Sequence, residues 1–456
     1  MVLHISRETL GKGKGVKEER MPGMTRGVSR KEFLKLGGAG LAGAALLGTV
    51  GCGGGQGGGE VVRYLTETPE TTTLERAAIE IQVNRFQEQN PKYTLERESI
   101  APDDLLTVIK TRLQSGQPPD VFNYGTGPGF AGVLEDAGLL RPLEKSYKEN
   151  GWEIYDWAKQ QVTYDGTVYG VPDLLQEIIV YYNKDLVPEA PKTVDELREI
   201  AKDLEGQGKI PFAFGDSEQW PAGHLFSMGA SNLLGKEGLD DILNGDGRWD
   251  VPEVEKAIDL MFRDFVESGY YPEGVNAITY DDANSLFYAG KAGMLPTGTW
   301  LISSILETVQ DFEVGFFPFP SIDGSDIAPA AGTGTGLFVA KDAKNPEGAI
   351  TFIDYLLQDE TARMLTEELL VIPAHPFDQE GLDVPGLFRG VLEDMSKATQ
   401  AGALGYNIDV LTPQSFNEVM WTGFQEVLNG TRSPGEQAGA LQDAWAKAKK
   451  QGKPAA

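Results

Sequence analysis

Two polar residues precede an apolar segment in the middle of the chain. The β-branched and aromatic run from Ile178 to Tyr182 predicts a buried strand that ends at the turn residues 183–185. Gln176 and Glu177 stand at its start, where buried amide and carboxyl groups must find hydrogen-bond partners. We therefore expect the strand to cross between two lobes with its polar start facing a cleft. Because successive strand residues point to opposite faces, we expect only one of the pair to reach a ligand.

A tryptophan follows a second predicted strand. Residues 290–300 read GKAGMLPTGTW, which predicts a buried strand ending in Pro-Thr-Gly-Thr and a helix that begins at Trp300. This arrangement places an indole at the carboxyl end of a strand. Sugars expose C–H patches that stack on aromatic faces, and their hydroxyl groups need planar amide and carboxylate partners. Trp300 is therefore the strongest single binding candidate, and core packing is the alternative.

The first part of the globular region alternates strands and helices. The pattern predicts strands at 61–66, 93–99 and 118–122, with helices at 72–90 and 103–115 between them. Such alternation is typical of a doubly wound α/β domain with a parallel sheet. Ligands of these sheets bind at the carboxyl ends of strands, which selects Thr68, Glu70, Asn123 and Tyr124. Packing of Tyr124 under the glycine-rich loop that follows it is the alternative.

Three segments resemble family 1 extracellular solute-binding proteins, the ligand-capturing subunits of ABC-type importers, to which the maltodextrin-binding proteins belong. Residues 170–186 contain GVP and, after a short gap, YYNKDL, as in the family's hinge strand. GKAGM followed by GTW resembles a segment whose tryptophan stacks on a sugar ring. PPDVFNY resembles the segment whose following residues line the sugar cleft, which is where Asn123 and Tyr124 fall. The resemblance covers nearly all of the chain after residue 59.

This resemblance implies an α/β, two-lobed, periplasmic-binding-protein-like fold. Each lobe is expected to be a doubly wound, mainly parallel sheet flanked by helices, and a multi-strand hinge joins the lobes. The first lobe is expected at residues 60–172 plus 333–372. The second lobe is expected at residues 173–332 plus 373–456.

The resemblance also extends the set of cleft residues. GTGTGLFVA at 332–340 looks like the family's second crossover, and IPAH at 372–375 looks like its third. Gln176 lies where the maltodextrin-binding proteins place a cleft carboxylate. Trp220 lies in the predicted loop after a strand at 210–214, and Trp421 lies on a predicted helix after Pro413. The expected ligand-binding residues are Asn123, Tyr124, Gln176, Glu177, Trp220, Trp300, Thr333, Thr335, His375 and Trp421.

The N-terminal segment is typical of an exported protein. SRKEFLK at 29–35 resembles the twin-arginine motif with Lys31 in place of the second arginine, so twin-arginine and general secretion both stay open. A short apolar run then ends at Gly51-Cys52, as in a bacterial lipoprotein signal, although Thr49 replaces the usual leucine. We expect an export signal at 1–51, a glycine-rich tether at 52–59, and a lipid on Cys52 that anchors the protein to the outer face of the cytoplasmic membrane. A cleaved signal with an incidental cysteine is the alternative.

Composition narrows the class of partner. The 456 residues are too many for one ordinary core. The net charge of -28 disfavours nucleic acid and anionic lipid surfaces, which need clustered Lys and Arg. One cysteine and three distant histidines, His4, His224 and His375, give no metal-ligand spacing. We therefore expect no metal site, no cofactor and a monomer.

The sequence and the resemblance together favour a binding protein that delivers a saccharide to the permease subunits of an ABC-type importer. A polyamine or a metal ion is the alternative cargo, and Tyr181-Tyr182 raises the specific case of ferric iron. A secreted glycoside hydrolase is the alternative of another class. That reaction needs two paired carboxylates, and the sequence pairs none. No Gly-x-Ser-x-Gly or His-Glu-x-x-His motif occurs either, so we expect no enzyme activity.

Overall fold

The structure, a computed structural model, describes residues 59–69, 71–325, 327–401 and 404–450. The predicted export signal and Cys52 lie outside these residues. Within them, none of the helices combines the length and the apolar character needed to cross a membrane. The strands of the described residues are β1 (Glu60–Glu67), β2 (Tyr93–Ile100), β3 (Val121–Gly125), β4 (Thr163–Tyr164), β5 (Thr167–Val168), β6 (Gly170–Pro172), β7 (Leu174–Asn183), β8 (Ile210–Phe212), β9 (Ala292–Gly298), β10 (Val314–Phe317), β11 (Ala331–Gly332), β12 (Thr335–Val339) and β13 (Ile372–Pro373).

The first lobe is built on a sheet with the strand order β2-β1-β3-β12-β6. β1 pairs in parallel with β2 and β3, whereas β12 runs antiparallel between β3 and β6. The short strands β4 and β5 form a separate antiparallel pair. The helical segments around this sheet are Thr72–Ala78, Ile79–Arg85, Phe86–Gln89, Pro102–Leu113, Ala131–Asp136, Glu144–Asn150, Asp156–Gln160, Pro346–Leu356 and Asp359–Leu369.

The second lobe is built around β7. Its sheet has the order β10-β7-β9-β8, and β11 and β13 pair with the first half of β7. Only β8 and β9 pair in parallel among these described strands. The helical segments of this lobe are Val194–Gly206, Trp220–Asn244, Pro252–Ile258, Asp259–Asp264, Phe265–Glu267, Val275–Ala277, Tyr280–Tyr288, Thr299–Leu301, Ile302–Thr308, Gly386–Ala401, Ile408–Leu411, Gln414–Leu428 and Pro434–Lys450.

The two-lobed α/β fold class is confirmed, and both sheets mix parallel with antiparallel pairs. The mixture has a simple cause. β6 and β7 carry the chain from the first sheet to the second, and β11 and β12 carry it back in the opposite direction. The returning strands therefore pair antiparallel with the outgoing ones. The predicted boundary after residue 172 falls between β6 and β7, and the exact lobe limits stay a prediction.

The crossings between the sheets meet at Asp173. Its backbone N–H donates to the carbonyl of Thr335 at 3.1 Å, and its carbonyl accepts from the N–H of Ala374 at 2.9 Å. These two bonds tie the outgoing crossing to the returning one and to the residue that follows β13. The hinge is therefore one hydrogen-bonded unit.

Side chains of β7 alternate between two hydrophobic cores of the second lobe. Ile178 and Val180 belong to the core formed with helices such as Trp220–Asn244, while Leu175 and Ile179 face the core that includes helix Gly386–Ala401. A third core fills the first lobe. The alternation decides which of Gln176 and Glu177 lies on which side.

Candidate functional site

Four ring side chains of the second lobe pack together, and we call Trp220, His224, Tyr280 and Trp300 the aromatic cluster. The ring centre of Trp220 lies 4.6 Å from that of Tyr280 and 5.0 Å from that of His224. The ring centres of His224 and Trp300 are 5.2 Å apart. Trp300 Nε1 donates to the Tyr280 hydroxyl at 2.9 Å. That hydroxyl also lies 2.7 Å from Thr297 Oγ1. All four residues remain partly exposed, and the hydrogen bonds of the Tyr280 hydroxyl fix Trp300 within the cluster.

Trp300 occupies the position that the sequence predicts. β9 ends at Gly298, a short 3-10 turn spans Thr299–Leu301, and a helix begins at Ile302. The indole folds back over the end of the strand. A Cβ on Gly298 would overlap the six-membered ring of Trp300, so only glycine permits this approach.

Trp220 begins a helix and does not lie in a loop, contrary to the prediction. Gln219, just before it, holds a φ of 72°, which is uncommon for a residue other than glycine. Asp216 Oδ1 accepts from the N–H of Ala222 at 2.8 Å, which satisfies a free backbone donor of the first turn. Pro221 in that first turn was the sequence signal for the helix start.

Buried polar groups lie beside the aromatic cluster. Asp409 Oδ2 lies 3.7 Å from His224 Nε2. Burial raises the pKa of Asp409 to about 7 and lowers the pKa of His224 to about 3, so His224 is neutral at pH 7 and the two form no ion pair. The sequence analysis missed Tyr280, His224 and Asp409. For His224 a signal existed, because it lies four residues after Trp220 on the same helix face.

The first-lobe candidates lie at the end of β3. Tyr124 packs edge-on against Phe130, with ring centres 6.4 Å apart, and burial raises its pKa to about 12. Asn123 Nδ2 donates to Asp173 Oδ2 at 2.7 Å. Burial, together with the nearby Glu67, raises the pKa of Asp173 to about 7. Asn123 therefore partners a hinge carboxyl group.

Gln176 and Glu177 lie on opposite faces of β7. Gln176 is partly exposed, contacts Gly334, and shares its face with Ile178, whose core Trp421 packs against. Trp300 packs against the cores on both faces of β7. Glu177 is buried on the other face, and its Oε1 has no hydrogen-bond partner within the described part of the chain. Burial, and then the nearby Asp394, raise its pKa to about 8. Gln176 is therefore the member of the pair on the side of helix Trp220–Asn244 and Trp421.

The remaining candidates lie within the hinge. Thr333 is fully buried, and both its N–H, at 3.0 Å, and its hydroxyl donate to Gln161 Oε1. Thr335 is partly exposed, and its carbonyl accepts from Asp173. His375 is buried next to the third crossing, and burial lowers its pKa to about 4. Neither ring nitrogen of His375 has a partner among the described residues.

Little free space remains at the aromatic cluster. The cavity lined by Trp220, His224, Tyr280 and Thr297 has a volume of about 10 Å³, room for roughly one water molecule. A larger cavity of about 140 Å³ lies between Tyr155, Leu175 and helix Gly386–Ala401, away from the cluster. Among the described residues, no group of three or more His, Cys, Asp or Glu side chains could hold a metal ion.

Sequence comparison places the chain among transport proteins. The family model described as bacterial extracellular solute-binding protein matches residues 69–363. The maltodextrin-binding protein MdxE of Bacillus subtilis (strain 168) is 28% identical over 326 residues, which cover 69% of this chain and 72% of that protein. The maltotriose-binding protein of Pyrococcus abyssi is 26% identical over 275 residues, covering 59% of this chain and 58% of that protein.

Solved structures share the fold. A chitin oligosaccharide binding protein superposes with a TM-score of 0.74 at 24% identity, covering 86% of this chain and 100% of that one. The maltose/maltodextrin-binding domain MalE from Bdellovibrio bacteriovorus, bound to maltotriose, superposes with a TM-score of 0.66 at 19% identity, covering 86% and 99%. At these sequence identities the structural similarity shows a shared fold and nothing more specific.

Proposed function

The chain belongs to the bacterial extracellular solute-binding proteins, and from that premise we propose that it captures a mono- or oligosaccharide between its lobes and delivers it to the permease subunits of an ABC-type importer. The observation that carries the proposal is the aromatic cluster. Trp300, fixed by Tyr280, presents an indole face beside Trp220 at the carboxyl end of β9. Such faces bind the C–H patches of sugar rings. The named cargoes of the relatives, maltodextrin and maltotriose, support the same class of ligand.

Capture works by closure of the hinge. A sugar ring stacks on Trp300, and Gln176, on the same side of β7, hydrogen-bonds its hydroxyl groups. A ligand that contacts both lobes binds the closed state better than the open one and shifts the population toward closure. The cavity of about 10 Å³ at the cluster is far smaller than a sugar ring, so a ligand needs more room than this conformation offers.

The protein acts as a binder and performs no catalysis. The family and the structural relatives are binding proteins. A glycosidase needs one carboxyl group with a raised pKa and a second ionised one across the same bond. At the aromatic cluster the carboxyl group with a raised pKa is Asp409, and the ionisable group beside it is the neutral His224 and not a second carboxylate. Incubation with a bound oligosaccharide should release no shorter sugar.

The export signal leads to a lipid-anchored monomer on the outer face of the cytoplasmic membrane. A diacylglyceryl group on Cys52 followed by the glycine-rich tether would hold the lobes near the permease. Radiolabelled palmitate should enter the full chain expressed in a bacterium and should not enter the Cys52→Ala variant. Equal labelling of the two chains would remove the anchor from the proposal.

Thermal unfolding of the chain from residue 53 onward tests the cargo class. Maltotriose, chitotriose, xylotriose, raffinose, galactose, spermidine and ferric citrate are each added in excess. A ligand that binds the folded state alone raises the melting temperature. We expect a rise with at least one saccharide and its loss in Trp300→Ala. A rise in melting temperature with spermidine or ferric citrate alone would leave the fold assignment unchanged and contradict the proposal that the cargo is a saccharide.

A further inference from the structure

One glycine of the second lobe lies between a hydrogen-bond donor and an acceptor. Gly223 is in the first turn of helix Trp220–Asn244, between two members of the aromatic cluster. A Cβ at this position would lie 2.8 Å from Trp421 Nε1 and 3.5 Å from Asp409 Oδ2. We call the site formed by Gly223, Asp409 and Trp421 the Gly223 notch.

Each of the two side chains in the notch has one polar atom without a partner among the described residues. Trp421 Nε1 and Asp409 Oδ1 are buried atoms without a hydrogen-bond partner in the part of the chain that the structure describes. Asp409 as a whole is 3% exposed. Its other oxygen, Oδ2, lies 3.7 Å from His224 Nε2, too long for a hydrogen bond, and the backbone N–H groups of Asp409 and Val410 donate to the carboxyl group. Buried polar groups left unpaired are costly, so each one calls for a partner from outside the chain.

The chemistry of the two groups defines that partner. An indole N–H only donates, and a carboxylate oxygen accepts. One ligand group that pairs with both must accept from Trp421 and donate to Asp409. A hydroxyl group does both, whereas an ammonium group donates only.

The notch also lies within reach of the proposed sugar. His224 follows Gly223 directly, contacts Asp409, and packs 5.2 Å from Trp300. The notch therefore adjoins the aromatic cluster on which the sugar ring is proposed to stack. We propose that the Gly223 notch recognises one saccharide hydroxyl group, which accepts from Trp421 Nε1 and donates to the carboxylate of Asp409. This inference rests on the proposed function.

Two conservative substitutions test the notch. Trp421→Phe keeps an aromatic ring and removes the N–H, and Asp409→Asn keeps the shape and removes the charged acceptor. Calorimetry with maltotriose, chitotriose, xylotriose, raffinose and galactose measures the affinity of each variant. For every sugar that the wild type binds, each substitution should weaken binding about tenfold. Asp104→Asn, an exposed carboxylate of the first lobe, should change nothing.

The double variant shows whether one hydroxyl group touches both residues. If it does, Asp409→Asn should weaken binding much less in the Trp421→Phe background than in the wild type. Unchanged affinity in both single variants, with binding still abolished by Trp300→Ala, would overturn the notch and leave the proposed function standing. Spermidine binding that Asp409→Asn weakens would overturn the hydroxyl assignment. If no sugar binds the wild type, both the function and the notch are rejected.

Discussion

The backbone carbonyl oxygen of Val410 fills the space in which a side chain at Gly127 would begin. Gly127 follows β3 of the first lobe, and Val410 belongs to a core of the second. Gly129 makes a similar approach, since a Cβ there would lie 2.8 Å from the carbonyl oxygen of Thr412. The lobes therefore meet backbone against backbone. Side chains at these two glycines would hold the lobes apart.

Gly129→Ala should weaken ligand binding by hindering closure. Gly127 has a φ of 79°, so its substitution would add backbone strain, whereas Gly129 has no such φ. A methyl group 2.8 Å from Thr412 O penalises the closed state by about 1 to 3 kcal/mol, which corresponds to a loss in affinity of roughly 5- to 100-fold. Calorimetry measures the affinity, and small-angle scattering measures the extent of closure.

Gly116→Ala is the matched control for this experiment. No heavy atom lies within 4 Å of a Cβ placed there, so its affinity should match the wild type. If the Gly129→Ala protein closes and binds like the wild type, the close approach of the two lobes at Gly129 is not needed for closure.

Tyr280→Phe should loosen Trp300. The hydroxyl of Tyr280 accepts from Trp300 Nε1 at 2.9 Å and lies 2.7 Å from Thr297 Oγ1. Its removal should lower the free energy of unfolding by about 1 kcal/mol. The saccharide affinity should also fall about fivefold, because the indole is no longer held in place. Denaturant unfolding and calorimetry measure the two effects.

Tyr271→Phe separates the two effects. Tyr271 donates to the carbonyl of Met261 at 2.9 Å inside the second-lobe core. Its substitution should cost comparable stability and leave the affinity unchanged. If both tyrosine variants lose affinity equally, the role of Tyr280 is general stability and not the positioning of Trp300.

Glu177→Gln should flatten the dependence of stability on pH. The pKa of Glu177 is about 8 in the folded protein against an ordinary 4.5, so the folded state retains a proton that the unfolded chain has released. The contribution of this group to stability is complete below pH 4.5 and is lost as the pH rises through 8. As the pH rises, the free energy of unfolding of the wild type should fall by a few kcal/mol more than that of the variant, at about 1.4 kcal/mol for each unit of pKa shift.

Denaturant unfolding from pH 5 to pH 9 measures this difference. Glu393→Gln, at an exposed position of helix Gly386–Ala401, should follow the wild-type profile. Parallel profiles for wild type and Glu177→Gln would mean that Glu177 is ionised in the folded protein, in contradiction to its raised pKa.

Site residues that are positioned by neighbours in the sequence could be predicted from it. Those positioned by contacts between distant segments could not. Trp300 was predictable, because a strand end, a glycine and a helix start all lie within a few residues. Thr193 likewise accepts from the N–H of Glu196 at 3.2 Å, an N-cap bond between residues only three apart in the chain. Asp409 was not predictable, because it reaches His224 only through packing between segments far apart in the chain.

The alternation of side chains along β7 predicted only part of the arrangement of Gln176 and Glu177. Period two shows that Gln176 and Glu177 face opposite sides, but not which side holds the cleft. That choice depends on where helix Gly386–Ala401 packs, and Glu177 faces its Asp394. For the same reason the sequence could select Asn123 as a strand-end residue and could not reveal its bond to Asp173.

Asn123→Ala should destabilise the hinge more than it weakens binding. Asn123 Nδ2 donates to Asp173 Oδ2 at 2.7 Å, and Asp173 ties the three crossings together through its backbone. Loss of this donor leaves the carboxyl group without its side-chain partner, at a cost of about 1 to 3 kcal/mol in the free energy of unfolding. It also raises the pKa of Asp173 further, because that hydrogen bond holds it down.

Asn123→Asp and Tyr124→Phe complete the test at this strand end. Asn123→Asp adds a second carboxyl group beside Asp173 and should destabilise the protein more at pH 8 than at pH 5, where a proton shared by the two groups relieves repulsion. Tyr124→Phe should keep wild-type stability, because the edge-on contact with Phe130 needs no hydroxyl group. If Asn123→Ala instead keeps its stability and loses saccharide affinity, then Asn123 is a ligand-binding residue, as its place after the predicted strand at 118–122 first suggested, and not a hinge residue.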